Sequence, residues 1–237
     1  MNFKKLKWDS SFFGFNVYVI YSTSIKTIQK DITDIWKSGG YLIYVMDNID
    51  LSSKFLNENN GRYVGTKVLF SKSPKVNNDF SSIANFTYSK LPEDILYLAY
   101  QSGKDSRFKI DDRLPNVTFE KMYSLWMEKS INNSNIKTFV YTEQEKKLGF
   151  ITLEISNDSC QVGLFAVDKA SRGKGIGKQL INYAENYAAK VGLKEIIIPT
   201  QKENILACSF YKKQNYNCIN ETKMYHFINK NKSYDTI

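Results

Sequence analysis

The chain has 237 residues and a mass of 27.4 kDa, which against about 100 to 200 residues per domain leaves room for one large domain, or one full domain with a smaller companion. With 42% hydrophobic residues, 24% charged, 12 Gly and only 4 Pro, collagenous, low-complexity and disordered classes are excluded. A formal net charge of +9 favours phosphate-bearing partners, but the lysines are interspersed with Asn and Ile along the chain rather than gathered, so nucleic acid is not expected.

The three cysteines, Cys160, Cys208 and Cys218, are odd in number and contain no CxxC pair, which argues against a disulfide framework and against a zinc site. His226 is the only histidine, so a multi-histidine metal centre is ruled out and no metal is expected. The apolar runs at 41–46 and 196–198 fall far short of the roughly 18 residues that cross a bilayer. Lys4, Lys5 and Lys7 precede a Phe-rich run, but Trp8-Asp9-Ser10 interrupts it and no small-residue cleavage site follows. These features predict a cytoplasmic protein without membrane insertion.

In chain order, the first eighty residues read as a small α/β domain, 1–80. A strand over 17–21 leads to a helix in which Ile25, Ile28, Ile32, Ile35 and Trp36 recur at helical spacing, with Ser24 as its cap. Gly39-Gly40 breaks the chain, strands follow over 41–46 and 63–70, and Ser73-Pro74 with Asn77-Asn78 marks a linker. The second domain, 81–237, is richer: a strand over 83–88, a helix from Pro92 to Gln101 and another over 117–131. A meander follows over 136–141, 148–155 and 159–167, with turns at 142–147 and Asn157-Asp158. The period then changes. Ile176, Leu180, Ile181, Ala184, Tyr187 and Ala188 form one face of a helix over 174–190 that Gly192 ends. A buried strand over 195–200, a helix over 204–213 and a closing strand over 216–227 complete it.

The junction between the third meander strand and the long helix reads Val167-Asp168-Lys169-Ala170-Ser171-Arg172-Gly173-Lys174-Gly175-Ile176-Gly177-Lys178. Alternating glycines let backbone N–H groups crowd a ligand, and the helix start adds unsatisfied donors and a positive dipole end. A pyrophosphate suits such a site. A Walker A loop would need Gly at 172 and Ser or Thr at 179, where Arg172 and Gln179 stand. A dinucleotide fingerprint would need glycine at 178 or 180, which are Lys178 and Leu180.

What remains is Arg-x-Gly-x-Gly-x-Gly on a strand, loop and helix, followed by a strand and by a helix carrying Phe210-Tyr211 and ending Lys213-Gln214-Asn215-Tyr216. This resembles the acyl-CoA loop of the GNAT N-acetyltransferase superfamily, from about Ser81 onward. Where that superfamily usually ends the last helix with Gly, this chain has Asn215, the next-best residue for a left-handed cap. Outside the loop, the segments Leu6-Lys7-Trp8-Asp9-Ser10-Ser11-Phe12-Phe13-Gly14, Ser106-Arg107-Phe108 through Asp111, and Tyr123 to Ser130 are similar to dTDP-4-amino-4,6-dideoxygalactose (dTDP-fucosamine) acetyltransferase-like enzymes. Trp8, Phe12, Phe13 and Trp126 are equally readable as core residues.

The resemblance implies an α/β fold of α+β type: a mixed, mostly antiparallel sheet flanked by helices, with the smaller N-terminal domain beside it. It implies acetyl-CoA as co-substrate, a third meander strand that bulges and splays so that backbone groups of Phe165, Ala166 and Val167 meet the pantetheine arm, and a diphosphate held by Arg172, Gly173, Lys174, Gly175, Ile176, Gly177 and Lys178. Tyr211 corresponds to the tyrosine that protonates the departing thiolate, and Asn204 to a CoA-contacting asparagine. Tyr211 also reads as a core aromatic, and Asn204 as a helix N-cap. Arg107 is the candidate ligand of a nucleotide-sugar acceptor, with an ion pair to Asp111 or Asp112 as its other reading. Glu154, Asp168 and His226 are the available types for a base, with no choice among them, and Cys208 reads as an apolar filler. The function so implied is acetylation of a dTDP-linked amino-deoxy sugar for surface polysaccharide synthesis, with homodimerisation left open. A polypeptide N-terminus, another small amine as acceptor, or a CoA-binding module without turnover stand as alternatives.

Overall fold

The computed structural model describes residues 2–76, 82–86, 91–115 and 117–230. The chain gathers into two compact units. The first takes residues up to Lys67, Ile110–Arg113 and the chain from Glu221, and the second takes Val68–Lys109 and Leu114–Asn220. The boundary expected at residues 80–81, the Asn77-Asn78 stretch and the end of the strand expected to reach Tyr88 lie outside the described residues.

The first unit contains β1 (Phe3–Lys5), α1 (Lys7–Phe13), β2 (Val17–Ile20), α2 (Ile25–Lys37), β3 (Leu42–Asp47), α3 (Ser53–Glu58), the start of β4 (Gly61–Lys72) and the end of β10 (Asn217–Ile228). Its strand order is β1-β2-β3-β10. β2 and β3 run parallel, from Val17 opposite Leu42 to Ile20 opposite Val45, as their connection through a helix requires. β1 and β10 pair antiparallel with β2 and β3. Ser24 caps α2 by accepting the Thr27 N–H, and Ile28, Ile32 and Ile35 bury completely against Ile20, Ile43, Val45 and Phe227. Burying each of these side chains stabilises the unit by about 1.5–3 kcal/mol.

Two short helices, α1 and α3, escaped the sequence reading. Phe13 is buried, whereas Trp8 is 48% exposed and stacks on Phe12 at 5.4 Å, so its reading as a core residue does not hold. The same unit holds a charge network, whose outer member Arg62 lies 3.7 Å from Asp111 and pairs with Asp112 at 2.6 Å. Asp111 accepts two hydrogen bonds from Arg113, 2.7 Å from Nε and 2.8 Å from Nη2, and lies 2.8 Å from His226 Nδ1. Arg113 also donates to Asn60 O and His226 O.

The second unit contains the rest of β4, then β5 (Ile83–Asn85), α4 (Glu93–Ser102), α5 (Arg107–Ile110, its last residue counted with the first unit), α6 (Val117–Asn132), β6 (Ile136–Glu143), β7 (Lys146–Ser156), β8 (Ser159–Val167), α7 (Ile176–Lys190), β9 (Glu195–Gln201), α8 (Ile205–Lys213) and the start of β10. Its strand order is β4-β9-β8-β7-β6-β5. β5 to β8 pair antiparallel in succession, and β8 pairs parallel with β9. One core lies under α7, where Ile176, Leu180, Ile181, Ala184 and Ala188 meet Phe139, Ile151, Leu153, Ile196 and Ile198. A second core joins Ile95, Leu98 and Ala99 of α4 and Phe119, Tyr123 and Met127 of α6 to Val140, Phe150, Leu164 and Ala166. This is the expected mixed, mostly antiparallel α/β fold with helices on its sheet. Among the described residues no helix is long and apolar enough to cross a membrane, and no group of three or more His, Cys, Asp or Glu side chains comes together to hold a metal ion.

Both long helices of the loop region end as their sequences predict. Gly192 stands at φ 81° and Leu193 N–H reaches back to Ala188 O. Asn215 takes the same place after α8, at φ 62°, with Tyr216 N–H on Tyr211 O. Asparagine does the work of glycine there.

Candidate active site

The site begins with a fault in β8. Ile151 pairs with Phe165 but Leu153 pairs with Val162, so Thr152 faces both Gly163 and Leu164. Thr152 Oγ1 takes the Leu164 N–H at 2.8 Å in place of a ladder partner, and a Cβ at 163 would stand 2.9 Å from that oxygen, which is why glycine occupies the bulge. The extra residue turns the strand over. Before it, Cys160 and Val162 face the α7 core; after it, Phe165 and Val167 do, while Leu164 and Ala166 enter the core of α4 and α6.

β8 then parts from β9. The parallel pairing covers Ser159 to Gln161 against Glu195 to Ile197 and stops, while the strands continue to Val167 and Gln201. A cleft of about 560 Å³ lies at this end of β8, lined by Phe165, Ala166, Val167, Ser171 to Gly173, Gly175 to Lys178, Asn204, Tyr211 and residues of the α4 end and α8.

Past Ser171, whose N–H bonds Asp168 O, the next backbone donor with a partner among the described residues is Gln179, on Gly175 O at 3.1 Å. The N–H groups from Arg172 to Lys178 are thus left for a ligand. Gly173 and Gly175 both sit at φ 82°, a left-handed conformation costly to other residues, and no atom lies within 4 Å of where a Cβ would stand. Gly177 differs: its φ is ordinary, and a Cβ would meet the Phe210 ring at 3.5 Å.

Lys104, Arg172, Lys178 and Lys213 all line the cleft, and no carboxylate does among the described residues. Lys104 lies 3.9 Å from Asp105, but the other three have no carboxylate partner among the described residues; with the unpaired amides and the N-terminus of α7 these cations fit a polyanionic ligand. An acyl-CoA has that chemistry at its phosphates and a narrow uncharged arm suited to the gap along Phe165, Ala166 and Val167.

Tyr211 is 6% exposed, among Phe70, Phe165, Phe210 and Tyr216. Burial first, and Cys208 second, push its hydroxyl well above the ordinary range of tyrosine. The group therefore stays protonated throughout neutral pH. Asn204 is the N-cap of α8, its Oδ1 accepting the Ala207 N–H at 3.1 Å, and it also lines the cleft.

Residues 106–216 match the model of the acetyltransferase (GNAT) family. Over these residues the chain is similar to that family. A segment of 69 residues is 33% identical to the uncharacterized protein YxbD of Bacillus subtilis (strain 168); it covers 29% of this chain and 42% of that protein's length. Among solved structures, a conserved protein of unknown function from Staphylococcus epidermidis aligns at a TM-score of 0.68 and 13% identity, covering 90% of this chain and 85% of its own. A GCN5-related N-acetyltransferase from Sphaerobacter thermophilus aligns at 0.55 and 14% identity, covering 95% of this chain and 76% of its own. At these identities the structures show the fold.

Of the residues expected from sequence, Phe165, Ala166, Val167, Arg172, Gly173, Gly175, Ile176, Gly177, Lys178, Asn204 and Tyr211 line the cleft, and Lys174 and Arg107 do not. Arg107 lies over the Phe108 ring, 4.4 Å from its centroid. None of the three base candidates lines it either. Glu154 pairs with Lys129 at 3.1 Å, Asp168 caps the turn at Lys169–Ser171, and His226 is fully buried in the first unit. Sequence reasoning missed Gln101, Ser102 and Lys104 of the α4 end, and Lys213 of α8. The position of Lys213, two turns past Asn204 on a helix already assigned to the site, was the one available signal.

Proposed function

We propose that the protein transfers an acetyl group from acetyl-CoA to the amino group of a nucleotide-linked, dTDP-type amino-deoxy sugar, by direct attack in a ternary complex and in the service of surface polysaccharide synthesis. The cofactor half of this reading rests on one observation: the cleft at the end of β8 is bounded by amides from Arg172 to Lys178 that have no partner among the described residues, and by four cations with no carboxylate in its described lining. The acceptor half rests on the sequence of Leu6 to Gly14, Ser106 to Asp111 and Tyr123 to Ser130.

Acetyl-CoA supplies an acyl group activated as a thioester. The amides and cations of the loop bind and orient the diphosphate, and the wall at Phe165, Ala166 and Val167 excludes water from the arm. Backbone donors aimed at a developing oxyanion contribute roughly 10² to 10³ in rate. Tyr211 holds its proton at Oη and donates it toward the departing sulfur. Because burial keeps its hydroxyl protonated at neutral pH, the proton is present to be hydrogen-bonded to the thiolate. Arg107, outside the cleft lining, is assigned to the acceptor's diphosphate, where its fork of donors suits phosphate oxygens.

The test is to supply acetyl-CoA with a panel of dTDP-linked 3-amino and 4-amino sugars and with peptides, following free thiol. Thiol release with a sugar supports the reading, and release with peptides alone overturns the acceptor. Calorimetry with CoA that shows no heat overturns the cofactor as well. Tyr211→Phe should lower turnover by roughly 10²-fold, and unchanged turnover removes the role of Tyr211.

A further inference from the structure

Gln101 sits at the C-terminal end of α4, some seventy residues before the glycine loop, and no motif points to it. Its side chain nevertheless makes three contacts with the segment that leads into the loop. Oε1 accepts the Lys169 N–H at 3.0 Å and a hydrogen of Arg172 Nη2 at 3.3 Å, and Nε2 donates to Asp168 Oδ1 at 3.4 Å. Asp168 in turn caps the 3₁₀ turn through the Ala170 N–H at 2.9 Å. Arg172 is held on its other edge by Nε donating to Val167 O at 3.1 Å.

We infer that Gln101 is a positioning residue: it fixes the guanidinium of Arg172, and the turn before it, so that the remaining donors of Arg172 face the anion site before the ligand arrives. This rests on the acyl-CoA reading of the cleft and deepens it.

Arginine carries five N–H donors in a rigid fork. With Nε on Val167 O and one Nη2 hydrogen on Gln101, the guanidinium is held at two points and its Nη1 edge has no partner among the described residues. Both partners are neutral oxygens, so the cation is oriented without being neutralised. An arginine that must stay in place and keep its charge for a phosphate needs that combination. Ordering it in advance lowers the side-chain entropy lost on binding, which is where preorganised sites gain affinity. The donor half of the same amide steadies Asp168, so glutamine serves where glutamate would add a negative charge beside both Asp168 and the anion.

The experiment compares wild type, Gln101→Ala, Arg172→Ala and the double variant, with CoA titrated by calorimetry and acetyl-CoA kinetics run in parallel. Gln101→Ala is expected to weaken CoA binding about tenfold, with the loss in KM for acetyl-CoA rather than in kcat. In the Arg172→Ala background the same substitution should cost little further, because its target is gone. Gln101→Glu, of equal size, should bind CoA more weakly than wild type.

Full-strength binding by Gln101→Ala overturns the inference and leaves the cofactor reading intact. So does an equal loss in both backgrounds, the mark of a general structural role. Failure of wild type to bind CoA overturns both readings. Melting curves of all five proteins separate misfolding from loss of positioning.

Discussion

Arg113 and Arg172 are both tethered through their guanidinium groups to backbone oxygens, yet they stand in opposite surroundings. Arg113 meets the Asp111 carboxylate with Nε and Nη2 and adds Asn60 O and His226 O. Arg172 meets Val167 O and the Gln101 amide, and the cleft it lines offers no carboxylate among the described residues. The first arginine is neutralised inside the protein, and the second keeps its charge for something else. Counter-charge, more than hydrogen-bond number, separates a structural cation from a binding one.

Removing the counter-charge of the first site should have the largest effect. Asp111→Ala leaves Arg113 without its partner and should destabilise the fold by about 3–5 kcal/mol, read as the midpoint of denaturant unfolding. An unchanged midpoint would mean that the network contributes nothing. At the second site the backbone carries more than the charges. Gly175→Val places a β-branched side chain at φ 82° and in the space left for phosphate. CoA binding should weaken by about 100-fold or more in calorimetry, and wild-type affinity would show that the amides do not hold the ligand.

The smallest effect is a titration that sharpens the contrast. Burial alone would raise the Asp111 carboxyl, but the hydrogen bonds from Arg113 and His226, with their charges, hold it well below the usual carboxylate range. A group depressed on folding contributes stability above its unfolded pKa, here around pH 4, and loses it as pH falls further toward the folded value. Unfolding free energy should therefore fall below about pH 4 in wild type, with a shallower slope in Asp111→Ala. Equal slopes would remove Asp111 as the cause.

Much of this was legible in the sequence, and for definite reasons. The periodicity of Ile176 to Ala188, the glycine loop and the Asn215 cap are local signals, and local signals survive folding. The tight turn between β6 and β7 was less visible. Gln144 and Glu145 take φ of 47° and 64° there, a turn usually marked by Asn-Gly. The turn was expected to be longer than the two residues between Glu143 and Lys146. Gln101, Lys104 and the pairing of Asp111 with His226 join residues far apart in the chain, and no spacing announces them. Short α1 and α3 lack the length for a periodic stripe.

The bulge at Gly163 sets a rule for anyone altering this strand. Odd and even positions exchange meaning at that one residue, so the face toward α7 and the face toward α4 and α6 are counted from different origins on the two sides. A single-residue insertion or deletion beyond it would send each side chain of the remaining stretch to the opposite core, whereas a change of two would restore the count.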